Sequence, residues 1–364
     1  MKSNFRKFLA LFFITAALLF LFAMQSEHYQ SEDLNVYEKI EEGSSINYLV
    51  IGDSIGRGAG AERKELRWYS QFEVLLKSYS GSRAYRNLVV QSGATAFEGI
   101  YKLQKTSQKK DIDVIFLFFG ENDRKYMDPE TFAFFYEKLL RDAKEFHPEA
   151  EIITIIESSL KQEPYAHAIK NVSSHYGAKH LDMRIPFKES GLLTEHLTTD
   201  MVHPNGKGYQ LYANSILELM KENMKSGADI ASFPDPIAMD NSFYLSEKKE
   251  IASNGGFNYE KGLYVSRNPG EVLEYVFEGP ILGVTAIRSV EGGKVKVYID
   301  GEYIRTLSTW WPFTRERYLY IASGLDPGRH TVRFETIGHP ASAVAGVNET
   351  IIIKSIIIAK EKED

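Results

Sequence analysis

The sequence predicts an α/β domain with a parallel sheet, followed by a smaller β-sandwich and preceded by a membrane-spanning helix. Residues 45–226 alternate short apolar segments with segments of helical character, which is typical of a parallel sheet covered on both faces. Residues 240–361 contain short segments of period-two hydrophobicity at regular spacing, which is typical of a β-sandwich. An uncharged apolar run, Phe8–Met24, precedes both regions.

The amino terminus has the features of an export signal. Lys2, Arg6 and Lys7 precede the apolar run. The run is longer than the usual apolar core of a signal peptide, about 7–15 residues, and lies at the short limit of a membrane-spanning helix, about 17–25 residues. Residues 21–25 are too bulky for a good cleavage site, so residues 1–24 are predicted to form an uncleaved anchor with the remainder outside the cell membrane. Cleavage and secretion are the alternative. Residues 25–44 are polar and rich in glutamate, and we expect a stalk there with one helical turn around Val36–Ile40.

The α/β domain begins with the stretch INYLVIGDSIGRGAG at residues 46–60. Its apolar part, Tyr48–Ile51, predicts a strand that is buried on both faces. A glycine-rich turn containing Ser54 follows at once, and open α/β sheets bind ligands at the carboxyl ends of their strands. Glycine residues in the turn allow the backbone to approach a ligand closely. Since Ser54 lies in this turn at the end of the strand, we predict that it is a nucleophile.

Later segments complete the α/β pattern. The further predicted strands are Leu88–Val90, Val114–Phe119, Ile152–Ile156 and His180–Asp182. The predicted helices are Trp68–Lys77, Pro129–Phe146 with Asp128 as N-cap, Pro164–Tyr176 and Gly206–Met224. Ser54, Gly93 and Asn122 each follow a predicted strand, and we expect them to converge because the carboxyl ends of parallel strands lie on one edge.

A nucleophilic serine needs a base, and the base needs a group that fixes its tautomer. His203 is the candidate base, and Asp200 lies three residues before it, within reach of the ring through a tight turn. The tetrahedral intermediate also needs hydrogen-bond donors for its oxyanion. The candidate donors are the backbone N–H groups of Ser54 and Gly93 and the side-chain amide of Asn122.

Four blocks of this sequence resemble those of the SGNH (GDSL-type) hydrolases, in the order found in that family. The blocks are Gly52-Asp53-Ser54, Gly93, Gly120-Glu121-Asn122-Asp123 and Asp200-Met201-Val202-His203. The resemblance implies a flavodoxin-like three-layer α/β/α fold and acyl-ester chemistry without a metal or cofactor. It also implies that Ser54, Asp200 and His203 form a catalytic triad, with Ser54, Gly93 and Asn122 as the oxyanion hole.

Two other interpretations of the serine turn fit less well. The spacing also matches the G-x-S-x-G elbow of α/β-hydrolases, but that fold places its serine deeper in the chain, after the strand that carries its oxyanion loop. The glycines at 56, 58 and 60 match a dinucleotide-binding turn poorly, and no acidic partner follows the next strand.

Residues 227–239 contain Gly227, Pro234 and Pro236 and are predicted to form a linker. Beyond it, Val295–Ile299 and Glu302–Arg305 flank Asp300-Gly301, which predicts a type I′ hairpin. The further predicted strands are Tyr318–Ile321, His330–Phe334 and Ile351–Ile358. The region from Lys294 to Phe334 is similar to the jelly-roll domains found beside carbohydrate-active enzymes. Trp310 and Trp311 lie in a loop, where their rings would either stack on a sugar or belong to the core.

Composition narrows the classes of function. Apolar residues make up 43% of the chain, which is enough for a substantial core, and the net charge of −6 argues against nucleic-acid binding. The chain has no cysteine, so it has neither disulfides nor thiolate metal ligands.

We therefore expect a membrane-tethered, extracytoplasmic serine esterase. Its substrate would be an O-acylated carbohydrate, above all an O-acetylated one at the cell surface. One alternative is an O-acetyltransferase that moves acetyl groups onto cell-wall polysaccharide with a membrane acyl-donor protein as partner. A second alternative is a carbohydrate-binding envelope protein whose first domain is catalytically idle.

Overall fold

The computed structural model describes residues 34–106, 111–238, 242–337 and 349–361. Residues 1–24, for which the sequence predicts an anchor, lie outside the described residues. None of the helices in the described ranges has the length and apolar character needed to cross a bilayer.

The first domain alternates strands and helices. Its helices are α1 Val36–Glu41, α2 Trp68–Ser80, α3 Ala96–Lys105, α4 Pro129–Phe146, α5 Glu163–His175, α6 Arg184–Glu189, α7 Thr194–Leu197 and α8 Gly206–Ser226. Its strands are β1 Ile46–Gly52, β2 Ala84–Val90, β3 Val114–Phe118, β4 Glu151–Ile156 and β5 Lys179–Asp182. Helix α4 begins as predicted, because the Asp128 side chain accepts hydrogen bonds from the N–H groups of Glu130 and Thr131 and Pro129 occupies the first helical position.

The five strands form one parallel sheet in the order β2-β1-β3-β4-β5. This is the flavodoxin-like order, so the predicted parallel-sheet α/β fold is confirmed. Alternate residues of the central strands enter separate cores on the two faces: Ile115 and Leu117 pack with α3–α5, whereas Phe116 and Phe118 pack with α2 and α8.

The helical turn expected around Val36–Ile40 within the predicted stalk is present as α1, which packs on the first domain instead of standing free. Asn35 and Glu38 form a capping box at its start, and Val36, Tyr37 and Ile40 are buried against the domain. The Tyr37 hydroxyl donates a hydrogen bond of 2.6 Å to the buried Glu151 carboxylate. This segment is amphipathic with polar residues outward, which is why its composition alone resembles that of a stalk.

The second domain consists of antiparallel strands, as predicted. Its strands are β6 Phe243–Lys248, β7 Ser253–Gly255, β8 Asn258–Glu260, β9 Leu263–Ser266, β10 Val272–Glu278, β11 Leu282–Arg288, β12 Lys294–Ile299, β13 Glu302–Ser308, β14 Arg315–Ala322, β15 Arg329–Ile337 and β16 Ile351–Glu361. One sheet has the order β13-β12-β15-β10-β7, and the other has the order β14-β11-β16-β9-β8, with β6 pairing with β16. At the β12–β13 hairpin, Asp300 and Gly301 both have positive φ, 51° and 86°, as a type I′ turn requires.

The two domains pack directly against each other through α3 and β14. The Tyr320 ring lies 5.8 Å from that of Phe97 and 5.4 Å from that of Phe135, between ring centroids. Gly283 leaves room for this contact, since a Cβ on it would lie 2.4 Å from Phe97. The predicted linker also packs on the first domain, where the N–H of Ala231 donates to Glu151.

Candidate active site

Ser54 lies in the turn that follows β1, at the carboxyl edge of the sheet, and is 7% exposed. The turn is held from two helices. The Trp68 indole of α2 donates a hydrogen bond of 3.0 Å to the Gly56 carbonyl, and the Tyr209 hydroxyl of α8 donates one of 2.6 Å to the Ala59 carbonyl. The serine hydroxyl therefore sits on a backbone that both neighbouring helices fix.

His203 approaches Ser54 from the loop before α8. The distance from His203 Nε2 to Ser54 Oγ is 2.9 Å, and the distance from His203 Nδ1 to Asp200 Oδ2 is 2.7 Å. Gly60 makes room for this loop, because a Cβ on it would lie 2.7 Å from the Cβ of His203. The structure thus brings the three predicted triad side chains into one continuous hydrogen-bonded chain.

Asp200 is suited to hold the imidazole. Its Oδ1 accepts the backbone N–H groups of Val202 and His203, so the carboxylate is fixed by its own loop. Partial burial acts to raise the pKa of Asp200, but the hydrogen bonds from the His203 backbone and ring outweigh it and hold the pKa below its usual value. The carboxylate therefore stays ionised and keeps the proton of the imidazole on Nδ1, which leaves Nε2 to accept the serine proton.

Asn122 lies directly after β3 and faces the serine turn. Its amide Nδ2 donates a hydrogen bond of 2.5 Å to Oδ2 of Asp53, while Oδ1 of Asp53 accepts the Ile55 N–H at 2.7 Å. Asp53 is fully buried. The aspartate before the nucleophile therefore fixes the orientation of the candidate oxyanion donor.

Two more buried carboxyl groups lie at this edge. Glu157, directly after β4, contacts Asp53, and burial followed by the charge of Asp53 raises the pKa of Glu157 well above its usual value. Glu157 Oε1 accepts no hydrogen bond from a described residue, which fits a protonated carboxyl that donates to Asp53. Burial raises the pKa of Asp123 to about 7, although the N–H groups of Ala96 and Gly120 donate to its carboxyl group.

Gly93, in the loop between β2 and α3, has φ 73°. No described residue accepts a hydrogen bond from its backbone N–H or from that of Ser54, so both donors remain available. The Gly93 carbonyl accepts a hydrogen bond of 2.9 Å from Arg317 Nη2 of β14. Arg317 is fully buried and pairs with the buried Glu98 of α3, at 2.7 Å between Nη2 and Oε2. The second domain thus holds the loop that carries this candidate oxyanion donor.

The two predicted sugar-binding tryptophans differ in position. Trp310 is 53% exposed, whereas Trp311 is half-buried between the domains. The Trp311 ring lies 3.1 Å from the position that a Cβ on Gly93 would take, and it contacts the guanidinium groups of Arg288 and Arg317. Trp311 therefore lines the candidate site, whereas Trp310 faces solvent.

Sequence reasoning missed four side chains that organise this site: Asp53, Glu157, Glu98 and Arg317. Glu157 follows a predicted strand at the same edge as Ser54, so its position was a usable signal. Glu98 and Arg317 are 219 positions apart, and no local pattern connects them. The described residues contain no cluster of histidine and carboxylate side chains arranged to hold a metal ion.

Comparison with known proteins shows which family the first domain is similar to. The model of the GDSL-like lipase/acylhydrolase family matches residues 50–211, which include all the predicted site residues of the first domain. No match was found among curated proteins.

The fold of both domains together has solved counterparts. A two-domain esterase, described as active on acetylated mannans, is 18% identical, with a TM-score of 0.69 over 90% of this chain and 95% of its own. A second structure of such an esterase, co-crystallised with mannopentaose, is 16% identical, with a TM-score of 0.69 over 90% of this chain and 94% of its own. An acetylxylan esterase from Geobacillus stearothermophilus is 23% identical, with a TM-score of 0.40 over 50% of this chain and 96% of its own.

Proposed function

Because residues 50–211 match the model of the GDSL-like lipase/acylhydrolase family, we propose that this protein is a serine esterase that removes O-acetyl groups from carbohydrate. The observation that carries the proposal is the hydrogen-bonded chain from Ser54 through His203 to Asp200 at the carboxyl edge of the sheet. A carbohydrate substrate is supported by the shared two-domain fold of an esterase active on acetylated mannans, and by the exposed ring of Trp310, the residue before Trp311 in the chain.

In the first half of the reaction, His203 Nε2 accepts the proton of Ser54 while Oγ attacks the carbonyl carbon of the acetyl ester. The negative charge that forms on the carbonyl oxygen is stabilised by the N–H groups of Ser54 and Gly93 and by the free amide N–H of Asn122. The imidazolium then gives its proton to the sugar oxygen as the ester bond breaks. The acetyl group remains on Ser54 and the sugar hydroxyl is released.

In the second half, His203 accepts a proton from water as the water attacks the acetyl-serine. Collapse of the second tetrahedral intermediate breaks the bond to Oγ, and His203 returns the proton to Ser54. The products are acetate and the free enzyme. Asp200 stays ionised and stabilises the imidazolium in both halves.

The decisive experiment compares Ser54→Ala with Ser158→Ala in the purified ectodomain, with 4-nitrophenyl acetate as substrate. Ser158 lies after β4 at the same edge, but its hydroxyl accepts a hydrogen bond from Tyr212 and is not part of the relay. We expect Ser54→Ala to abolish turnover, and Ser158→Ala to retain it. Unchanged turnover in Ser54→Ala would disprove the nucleophile and leave a carbohydrate-binding protein with an idle first domain.

The acceptor of the acetyl group is tested separately. With an acetylated glycan as donor and a deacetylated glycan as acceptor, we expect free acetate to be the main product. Acetate transferred to the acceptor instead would identify an O-acetyltransferase, for which a membrane acyl-donor protein would be the natural partner.

We also propose that the protein is tethered at the extracytoplasmic face of the cell membrane. Support comes from the basic residues Lys2, Arg6 and Lys7 ahead of the apolar run Phe8–Met24. Protease added to intact spheroplasts should then degrade the membrane-bound protein. Recovery of the whole protein in the medium would show instead that the segment is cleaved as a signal peptide.

A further inference from the structure

A small cavity lies between the two domains, beside Gly93. Its volume is about 30 Å³, and Gly93, Thr95, Glu98, Arg288 and Ser308 are among its lining residues. A water molecule needs about 10–15 Å³ of such space, so this cavity takes a group of two or three heavy atoms and not a sugar ring. Because Gly93 is a candidate oxyanion donor, whatever enters the cavity lies next to the acyl group under attack.

Arg288 in this cavity is a buried cation without a partner. It is 9% exposed, its Nε is buried without a hydrogen-bond partner, and no described residue forms an ion pair with it. The guanidinium carbon of Arg288 lies over the face of Trp311, 4.8 Å from the ring centroid. An uncompensated buried charge destabilises a protein, and an anionic ligand bound beside Arg288 would offset that cost.

The charged groups near Arg288 do not neutralise its positive charge. Arg317 lies on the same face of the sheet, since it pairs with Ala286 in the register of β11 and β14 and Ala286 is two residues before Arg288. Glu98 is the buried carboxylate of this cluster, and it is bonded to Arg317. Burial and then the charge of Arg317 lower the pKa of Arg288 to about 10, so the group is still a cation at neutral pH. Two buried guanidinium groups and one carboxylate leave one positive charge in excess.

Further N–H donors around the Trp311 ring have no hydrogen-bond acceptor among the described residues. Arg317 Nη1 and the Trp311 indole Nε1 are buried without an acceptor among the described residues. Arg317 Nη1 lies 3.7 Å from the position that a Cβ on Gly93 would take. The cluster thus offers charge and N–H donors but lacks acceptors, and a planar guanidinium fork is the group that matches a carboxylate best.

We propose that this cavity is a subsite for a carboxylate carried by the acylated sugar, bound by Arg288, so that the substrate is an acidic, uronate-containing glycan. The carboxylate enters the cavity beside Gly93, and the sugar ring that carries it lies outside against Trp311 and Trp310. The inference rests on the proposed function for the nature of the ligand, since it assumes that the ester attacked by Ser54 belongs to a sugar.

Calorimetric titration of the full chain tests the subsite without any turnover, so its result is independent of whether the protein is an esterase. The probes are methyl glucuronide, methyl glucoside and sodium acetate. We expect methyl glucuronide to bind at least tenfold more tightly than methyl glucoside and than acetate. Equal binding of the two sugars would overturn the proposal, and acetate binding as tightly as the glucuronide would overturn the assignment of the carboxylate to the sugar.

Arg315 provides the matched control, because it is the cross-strand neighbour of Arg288 and is exposed. We expect Arg288→Met to lose the tenfold preference for the glucuronide, and Arg315→Met to keep it. Thermal unfolding gives a second readout, since a ligand-binding cation destabilises the empty protein: Arg288→Met should raise Tm. A lower Tm together with an unchanged preference would show that Arg288 serves packing, and would disprove the subsite. If Arg288→Met does not fold, the comparison of the three probes on the unmodified chain still decides.

Discussion

The Asp53 carboxylate joins the candidate nucleophile to the candidate oxyanion donor. One of its oxygens accepts the Ile55 N–H just beyond Ser54, and the other accepts the Asn122 amide. A primary amide has two N–H donors, so the second one remains for the substrate. The serine turn and the Asn122 loop are therefore not independently placed, and a change at one is transmitted to the other.

Replacing Asn122 by alanine tests this arrangement. Loss of one oxyanion donor lowers kcat by about 10²–10³-fold in other acyl-transfer enzymes, and we expect a loss of that order in Asn122→Ala on an acetyl ester. The control is Asn35→Ala, which removes a helix cap and should cost about 0.5–2 kcal/mol of stability with kcat unchanged. A loss of kcat below threefold in Asn122→Ala would remove Asn122 from the oxyanion hole.

The buried contact between Glu157 and Asp53 adds a pH-dependent contribution to stability. Burial is the main cause that raises the pKa of both carboxyl groups above the usual values of 4.5 and 3.8. The folded protein therefore keeps protons that the unfolded chain has already released. By linkage, the free energy of unfolding falls as pH rises from about 4 through the raised pKa values.

Glu157→Gln should remove most of this dependence. The glutamine amide donates to Asp53 at every pH, as the protonated carboxyl does, so the variant should gain stability relative to the parent as pH rises from 5 to 8. Urea denaturation across that range measures the effect, with Glu222→Gln on the exposed face of α8 as control. Parallel stability–pH curves for the parent and Glu157→Gln would contradict a shared proton at this pair.

At the level of elements, the loop from β2 to α3 is the part of the site that depends on both domains. The Asp123 carboxyl accepts the Ala96 N–H at its α3 end, and Arg317 donates to the Gly93 carbonyl from β14. The His203 loop is different, because Asp200 and His203 bond within three residues of each other. The Asp200–His203 pair of the triad is therefore a local construction, whereas the Gly93 oxyanion donor is held by long-range packing.

Alanine at Gly93 tests this dependence against a matched glycine. Gly93 and Gly81 have similar φ values, 73° and 84°, but a Cβ on Gly93 would lie 3.1 Å from Trp311, and a Cβ on Gly81 would meet nothing within 4 Å. Both alanines should cost about 1–2 kcal/mol for the left-handed backbone. Gly93→Ala alone should also lower kcat/KM, by about 10–100-fold, because the oxyanion donor moves. Equal activity in the two variants would mean that Trp311 does not hold the loop.

At the scale of the whole molecule, local patterns predicted the order of the α/β elements and the triad. The apolar strands and the helix start at Asp128–Pro129 could be predicted because each depends on only a few neighbouring residues. Helix α3 was missed, although Phe97, Ile100 and Tyr101 have helical spacing, because its glycine at 99 weakens the pattern. The Glu98–Arg317 pair and the contact of Trp311 with Gly93 could not be predicted, since they depend on how two separately patterned domains meet.

The contact between the two domains is part of a hydrophobic core to which both domains contribute. The cluster around α3 and α4 includes Phe243, Leu245, Ile281 and Tyr320 from the β domain together with Phe97 of the first domain. The β domain also buries Arg317 and places Trp311 against the Gly93 loop. The β domain also has a core of its own between its two sheets, which includes Val284, Val297 and Phe334, and one face of it forms a wall of the first domain.

A truncated chain of residues 34–238 should consequently fail to form a stable enzyme. Removal of the β domain uncovers Phe97 and Phe135 and leaves Glu98 without its arginine, and each exposed aromatic side chain forfeits about 1.5–3 kcal/mol of burial. We expect the fragment to aggregate or to unfold below the Tm of the full chain, and the full chain to unfold in one calorimetric transition. Tyr303→Ala, an exposed tyrosine of the same β domain, should leave that transition unchanged. A soluble fragment with the parent kcat, or two separate transitions in the full chain, would show that the shared core is dispensable and that the Gly93 loop holds its shape without Arg317.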